Sequence, residues 1–337
     1  MKTCRILFAA AAAALLAGTA NSVPLTLGGT TTLAGYKGDF DHFAIDTRDN
    51  RVFLAGEDGN ELEVFNRTTG ALVKRLGGLG TPHSPWFMLA TDRLLVVSGD
   101  KPSPVLTASN LKLDTIYTLA KGSDSIGWDP MSKHIWIVSG GKDVPQPDCN
   151  LTEVDPATGK TYRNVHFDSN HVEAMAIEHH GPLLFISLTD KNKVAVVNRR
   201  EAKVVAEWPI HEAQQNAPLA LDEANHRLFV VTRAPGKLIV LNTENGSTVA
   251  AFDAPNKSDE VVWDAANRRV YVPGGDGYLA VYQQEDPNHY REIARIKTLP
   301  GAKTAILDPS RKRLWVAASP GDSGAPGKLM WFNIAAR

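Results

Sequence analysis

Asp41, His83, Asp124, Glu173, Asp259 and Lys303 are the residues of this 337-residue chain whose types and spacing promise chemistry. Each stands ten residues before the same point of an internal repeat, so the geometry imposed on one is imposed on all. Four carboxylates, an imidazole and an ammonium brought to one place offer oxygen donors for a hard divalent cation. Imidazole nitrogen shifts that preference toward a transition metal. The same groups are also candidate general acids and bases. The next position of the repeat adds His42 and Glu260, and His171, two residues before Glu173, reaches toward the same rim. The candidate ligand-binding residues are therefore Asp41, His42, His83, Asp124, Glu173, Asp259, Glu260 and Lys303. The candidate metal ligands are Asp41, Asp124, Glu173 and Asp259, and a divalent cation is the candidate cofactor.

Carboxylates that converge on one axis repel each other at neutral pH, and either raise one another's pKa or recruit a cation. A cationic or polyhydroxyl organic ligand answers that need as well as a metal ion does. So does Lys303 acting as an internal counter-ion, which would leave nothing over for a ligand. A wet channel rim of solvated carboxylates fits the same pattern.

The elements that must position these residues are legible in the repeat. The shape "RVFLAG" at Arg51 returns as "RLLVVSG" at Arg93, "HIWIVSG" at His134, "LLFISL" at Leu183, "RLFVVTR" at Arg227, "RVYVPGG" at Arg269 and "RLWVAAS" at Arg313. The intervals are 42, 41, 49, 44, 42 and 44 residues. A period of about 40–45 residues of strand and turn is the signature of a propeller blade. Inside one period, from Leu221 to Asp253, β-branched segments alternate with breaks at Pro235-Gly236 and at "NTENG". These are four β-formers bounded by turn residues.

Seven anchors predict an all-β fold, a single seven-bladed β-propeller. Blade seven shows three strands after its anchor region, and "LTLGGTTTL" from Leu25 supplies the fourth, closing the ring. Ten residues before each anchor is the start of the innermost strand, so the ring of ionisable residues faces one mouth of the central channel. Five residues before six of the seven anchors, Asp46, Asp129, Glu178, Asp222, Asp264 and Asp308 occupy a turn, where a short carboxylate bonds backbone N–H groups two residues on; Met88 takes that place in the second blade. That is a structural use of acid.

The first 20 residues read as a secretory signal peptide, with Lys2 and Arg5, an apolar run from Phe8 to Ala17 and small residues at Gly18-Thr19-Ala20. Cys4 leaves with it, so Cys149 stands alone and no intramolecular disulfide is expected. No later stretch approaches the apolar length of a membrane span. Net charge is -1, and its basic residues are scattered among acids. That distribution excludes the clustered phosphate contacts nucleic acid demands. A periplasmic or secreted monomer is expected, without a lipid anchor.

"AIDTRDNRVFLAG", "ALDEANHRLFVV", "DAANRRVYVPGGDGYLAVYQQEDPNHY" and "TLPGAKTAILDPSRKRLWVA" resemble the YncE-like, YVTN-repeat family of exported bacterial seven-bladed propellers. The likeness spans nearly the whole mature chain. It implies the fold. Its wider superfamily holds binding proteins, lactonases, lyases and quinoprotein dehydrogenase subunits, and the metal-lactonase pattern does not map onto this chain. His83 in "TPHSPWFML" and an inserted loop at "GGKDVPQPDCN", from Gly140, depart from the family pattern.

The expected function is binding of a small ligand, a cation or an exported partner protein at the acidic mouth. A lactonase-like hydrolase or lyase at the same mouth is the alternative, and a scaffold docking partners through the Gly140 loop is a third. "GDSG" at Gly321 matches the loop of trypsin-like proteases, but a triad needs an adjacent base and an orienting group. His179-His180 falls in an outer turn, and the tryptophans, Trp86 near the mouth included, read chiefly as packing between blades.

Overall fold

The computed structural model describes residues 23–336 except 143, 146, 322 and 323. The signal-peptide segment and Asp322-Ser323 of the protease-like tetrapeptide lie outside the described residues. Seven four-stranded antiparallel sheets stand around one axis. Their innermost strands are Phe43–Asp46, Pro82–Met88, Ile126–Asp129, Val172–Ile177, Gln214–Asp222, Val262–Asp264 and Thr304–Asp308. Each of the seven anchors opens the second strand of its blade. Among the described residues, no helix is long and apolar enough to cross a membrane.

Second and third strands are buried on both faces because each is sandwiched between neighbouring blades. Their residues are therefore apolar in continuous runs instead of alternating. The outermost strands, such as Leu72–Gly77 and Lys112–Tyr117, mix exposed and half-buried positions. Apolar clusters fill the wedges between blades. Val52, Leu54 and Phe65 of blade one pack against Trp315, Ala317 and Leu329 of blade seven. Trp136 and Trp315 are fully buried in such wedges, and Trp86 stacks on Trp128 at 5.9 Å, so packing accounts for these rings.

The ring closes as the repeat requires. Leu25–Leu33 pairs antiparallel with Gly327–Ile334, from Leu25 against Ile334 to Leu33 against Gly327. The register shifts between Leu27 and Gly29, and a Cβ on Gly29 would collide with the indole of Trp331. Glycine there lets that ring lie across the closing strand.

The inner-turn acids serve structure. Asp46 Oδ1 accepts from the backbone N–H groups of Arg48 and Asp49 at 2.9 and 3.0 Å. Asp129 and Asp264 accept from Met131 and Asn267 in the same way. Several also latch adjacent regions of the ring. Arg67 Nε donates to Asp308 Oδ2 at 2.6 Å across the closure, Arg199 donates to Asp129 at 2.6 Å, and Gln284 donates to Asp222 at 2.8 Å. The Arg67 side chain is 6% exposed and Asp308 is fully buried, so neither charge is hydrated without its partner.

Asp308→Ala therefore leaves a buried guanidinium unpaired. Urea unfolding should show a loss of about 3–5 kcal/mol. The joint replacement Arg67→Met, Asp308→Leu should recover most of it. A loss below about 1 kcal/mol, the worth of an exposed pair, would mean the latch contributes no more than surface charge does.

Candidate functional site at the channel mouth

The backbone presents the ring residues rigidly. Asp41 N–H donates to Ala55 O at 3.0 Å, Ala55 N–H to His42 O at 3.0 Å, and His42 N–H to His83 O at 3.1 Å. Asp124 and Asp259 are held through Val138 O and Lys303 O at 3.0 and 3.1 Å. The inner strand is thus tied to its neighbours before its regular ladder begins, which aims these side chains into one cavity of about 650 Å³. Asp41, His42, His83, Asp124, Glu173, Asp259 and Lys303 all line it. Glu260 does not; it lines a smaller space beneath, and its carboxylate lies 3.7 Å from His42 Nδ1. Ala217, at the ring position of blade five, is buried and carries no chemistry.

The ring divides into two halves of different character. Across blades four to seven the acids are neutralised internally. Arg233 spans Glu173 at 2.7 Å and Asp259 at 2.5 Å. Lys303 bonds Asp259 at 2.6 Å and Asp39 at 3.0 Å, the internal counter-ion role expected of it. His171 Nε2 lies 2.6 Å from Glu173. Two of the four candidate metal ligands, Glu173 and Asp259, are thereby engaged by fixed cations.

Across blades one to three the basic groups nearest Asp41 and Asp124 are imidazoles, while Lys121 and Lys142 line the cavity wall. His83 Nδ1 is 2.7 Å from Asp41 Oδ2 and 3.9 Å from Asp124 Oδ1. His42 Nε2 is 3.5 Å from Asp41 Oδ1 and 3.8 Å from Asp124 Oδ1. Glu57 faces the same space. Among the described residues Asp124 Oδ1 is shut off from solvent and accepts no hydrogen bond. Asp41, His42 and Asp124 form one group whose ligand atoms lie within 4.8 Å of one another, and Asp41, Glu57 and His83 form a second. Asp41 belongs to both. Imidazole with carboxylate at this spacing suits a divalent transition metal.

The proton-binding groups register this crowding. Burial opposes the charge on Asp41, but His42, His83 and Lys303 outweigh it and hold the carboxyl below its ordinary range. Burial likewise opposes Glu173, which His171 and Arg233 hold well below. Burial, with the charges of Asp41 and Glu173, pushes Asp124 up to about 6 against the pull of His83 and His42. Glu57 rises to about 7 through burial and Asp41. Burial lowers His83, yet Asp124 and Asp41 carry it up to about 10.

Arg233, Glu57 and Asp39 were not among the residues singled out by sequence. A signal for two of them existed. Glu57 and Arg233 each stand six residues after their anchors, Arg51 and Arg227, at the ends of second strands facing the same mouth. The inserted loop also takes a definite place: Gly141, Lys142, Val144 and Pro145 wall one side of the cavity. Cys149, at its end, is buried and unpaired. His179 and His180 lie in an outer turn, their backbone N–H groups donating to the Glu223 carboxylate.

No family model matches the chain, and no curated protein matches it in sequence. Among solved structures, a chain of a mitotic checkpoint complex superimposes with a TM-score of 0.73 over 99% of this chain and 99% of that one, at 14% identity. At that identity the likeness shows the fold alone. In all, 1729 solved chains match, so the architecture selects no ligand and the site residues must.

The His83 shift has a sign that can be measured. Its proton stabilises the fold fully below its ordinary pKa of 6.5, and that contribution disappears as pH rises through about 10. Asp124, raised from 3.8 to about 6, adds a penalty on ionisation across the lower window. Without added metal, denaturant midpoints should fall from mildly acid toward pH 10, and His83→Gln should flatten the alkaline limb. Identical slopes above pH 7 in both proteins would show that His83 carries no such proton.

Proposed function

We propose that this protein is an exported binding protein whose channel mouth holds a divalent transition-metal ion and, through it, a small polar ligand. The carrying observation is the pair of overlapping ligand groups that share Asp41. Support comes from the unpartnered oxygen of Asp124 facing the same point, and from a cavity far larger than one ion. The group formed by Asp41, Glu57 and His83 is the first choice, because His83 Nδ1 and Asp41 Oδ2 already converge at 2.7 Å, where a divalent ion would replace the proton they share. The segment from Lys2 to Ala20 supports export, and the resemblance to YVTN-repeat propellers supports the same reading.

A hydrolytic use of the same mouth is the second reading, favoured by Glu57. Its carboxylate makes no hydrogen bond among the described residues and borders open cavity, which is the position a general base requires.

Metal content decides the leading reading. Protein purified without chelator and reloaded with zinc should hold close to one ion per chain. Asp41→Asn and His83→Gln should each weaken zinc at least tenfold, whereas Asp259→Asn, which touches only the Arg233–Lys303 half, should retain it. Zinc absent from the native protein, or lost equally in the Asp259 variant, would overturn the assignment.

A further inference from the structure

The ring of His42 sits among its neighbours as a metal ligand would. Its Nε2 faces Asp41 Oδ1 at 3.5 Å and Asp124 Oδ1 at 3.8 Å. Charge-assisted hydrogen bonds close to about 2.7–2.9 Å. Donors that share a tetrahedral zinc, each about 2.1 Å from the ion, stand about 3.4 Å from one another. These atoms are spaced nearer to the second pattern than to the first. Ser125 Oγ, 3.4 Å from the same nitrogen, makes a weak contact that an ion would displace.

The other ring nitrogen faces a carboxylate. Glu260 Oε2 lies 3.7 Å from Nδ1, in the smaller space beneath the mouth. Glu260 Oε1 accepts from the Val261 N–H at 3.3 Å, which holds the carboxylate in place. An imidazole that gives one nitrogen to a metal carries its proton on the other and turns it toward such a group. That partner sets both the tautomer and the direction of the ring.

Asp41 joins this group to the first. Its Oδ2 meets His83 and its Oδ1 faces His42, so one carboxylate has an oxygen for each of two ions. Asp124 Oδ1, which among the described residues accepts no hydrogen bond, is also 3.9 Å from His83 Nδ1, at the seam between the groups. Asp41, His42 and Asp124 all border the mouth cavity, which leaves room for a further ligand on the metal.

We propose that the mouth holds two divalent transition-metal ions, one on Asp41–Glu57–His83 and a second on Asp41–His42–Asp124, with Asp41 bridging them and Glu260 orienting His42. The first ion rests on the reading above; the second rests on His42, Asp124 and Glu260. Paired ions in such centres stand about 3.5–4 Å apart. Their mutual repulsion makes binding sequential. One ion is held on reloading, and the second enters with zinc in excess.

The test is a zinc titration of the full mature protein by equilibrium dialysis, followed by copper(II) spin resonance. Zinc should bind in two steps, the second at least tenfold weaker. His42→Gln should remove the second step and leave the first within about threefold. Glu260→Gln supplies no ligand to either ion in either form, and should weaken the second step about tenfold to a hundredfold. It serves if the histidine variant does not fold. With copper in place of zinc, one equivalent should give a single-ion spectrum. Two should give the half-field signal of a coupled pair, absent from His42→Gln. That signal separates the pair from an ion held by outer histidines such as His179 and His180.

One zinc bound in the native protein and in His42→Gln alike, and lost in His83→Gln, sinks the second ion and leaves the first standing. Two ions without copper coupling overturn the bridge. A second step unmoved by Glu260→Gln overturns its positioning role. One zinc lost in His42→Gln but kept in His83→Gln sinks the pair and the first assignment together, as does a native protein that holds none.

Discussion

Closure of the ring is the constraint on which the rest of the molecule depends. Seven blades meet around an axis only if the last meets the first, and this chain secures that meeting with a strand from its N-terminal side. The pairing of Leu25–Leu33 with Gly327–Ile334 removes two exposed strand edges. It also brings the two ends of the mouth together. Phe40 N–H donates to Ser319 Oγ at 2.9 Å, and Lys303 of blade seven reaches Asp39 just ahead of blade one. Asp41 and His42 follow directly in the chain, so the position of the site's central carboxylate is set by the closure. The buried Arg67–Asp308 pair performs the same office at the opposite side of the sheet.

A second constraint is electrostatic. A propeller that places one ionisable residue per blade at a mouth concentrates charge at a single point, where low exposure weakens screening. Asp41, His83 and Asp124 expose 17%, 16% and 29% of their side chains, enough to face a cavity and too little to be hydrated as in water. On blades four to seven the chain relieves the repulsion permanently with Arg233 and Lys303, whose charges remain at any physiological pH. On blades one to three the groups in contact with Asp41 and Asp124 are His42 and His83, whose charges are exchangeable. Permanent neutralisation makes a wall; exchangeable neutralisation makes a place where a cation can substitute for protons. That asymmetry separates this mouth from a uniformly solvated rim.

How much of this was legible in the chain differs by level. The fold was readable because its period is long, its strands are β-branched and its anchors each open a second strand. Comparing positions by offset placed Asp41, His83, Asp124, Glu173, Asp259 and Lys303 at one mouth, where all six line the same cavity. What the offset could not show was which acids are already paired. Arg233 lies on the second strand of blade five, above an alanine at the ring position, and its length alone decides that it spans Glu173 and Asp259. Glu260 illustrates a different limit. It follows Asp259 directly, and adjacent residues on an inner strand point in different directions, so it opens onto the chamber below instead of the mouth.

The layering of side chains along the axis follows from the same alternation and from strand direction. The innermost strands enter from the mouth and, except in blade two, where Met88 takes the place, lead into the turn bearing the structural acid, so equivalent positions form successive layers down the channel. The upper layer carries ionisable groups. The next carries His42, Ser84, Ser125 and Glu260, and below it come Phe43, Trp86 and Met175. At the far end charge returns, where the Arg67–Asp308 pair lines a third space. His42, the one residue that lines both the mouth and the space beneath it, stands at the junction of these layers and links Asp41 and Asp124 above to Glu260 below.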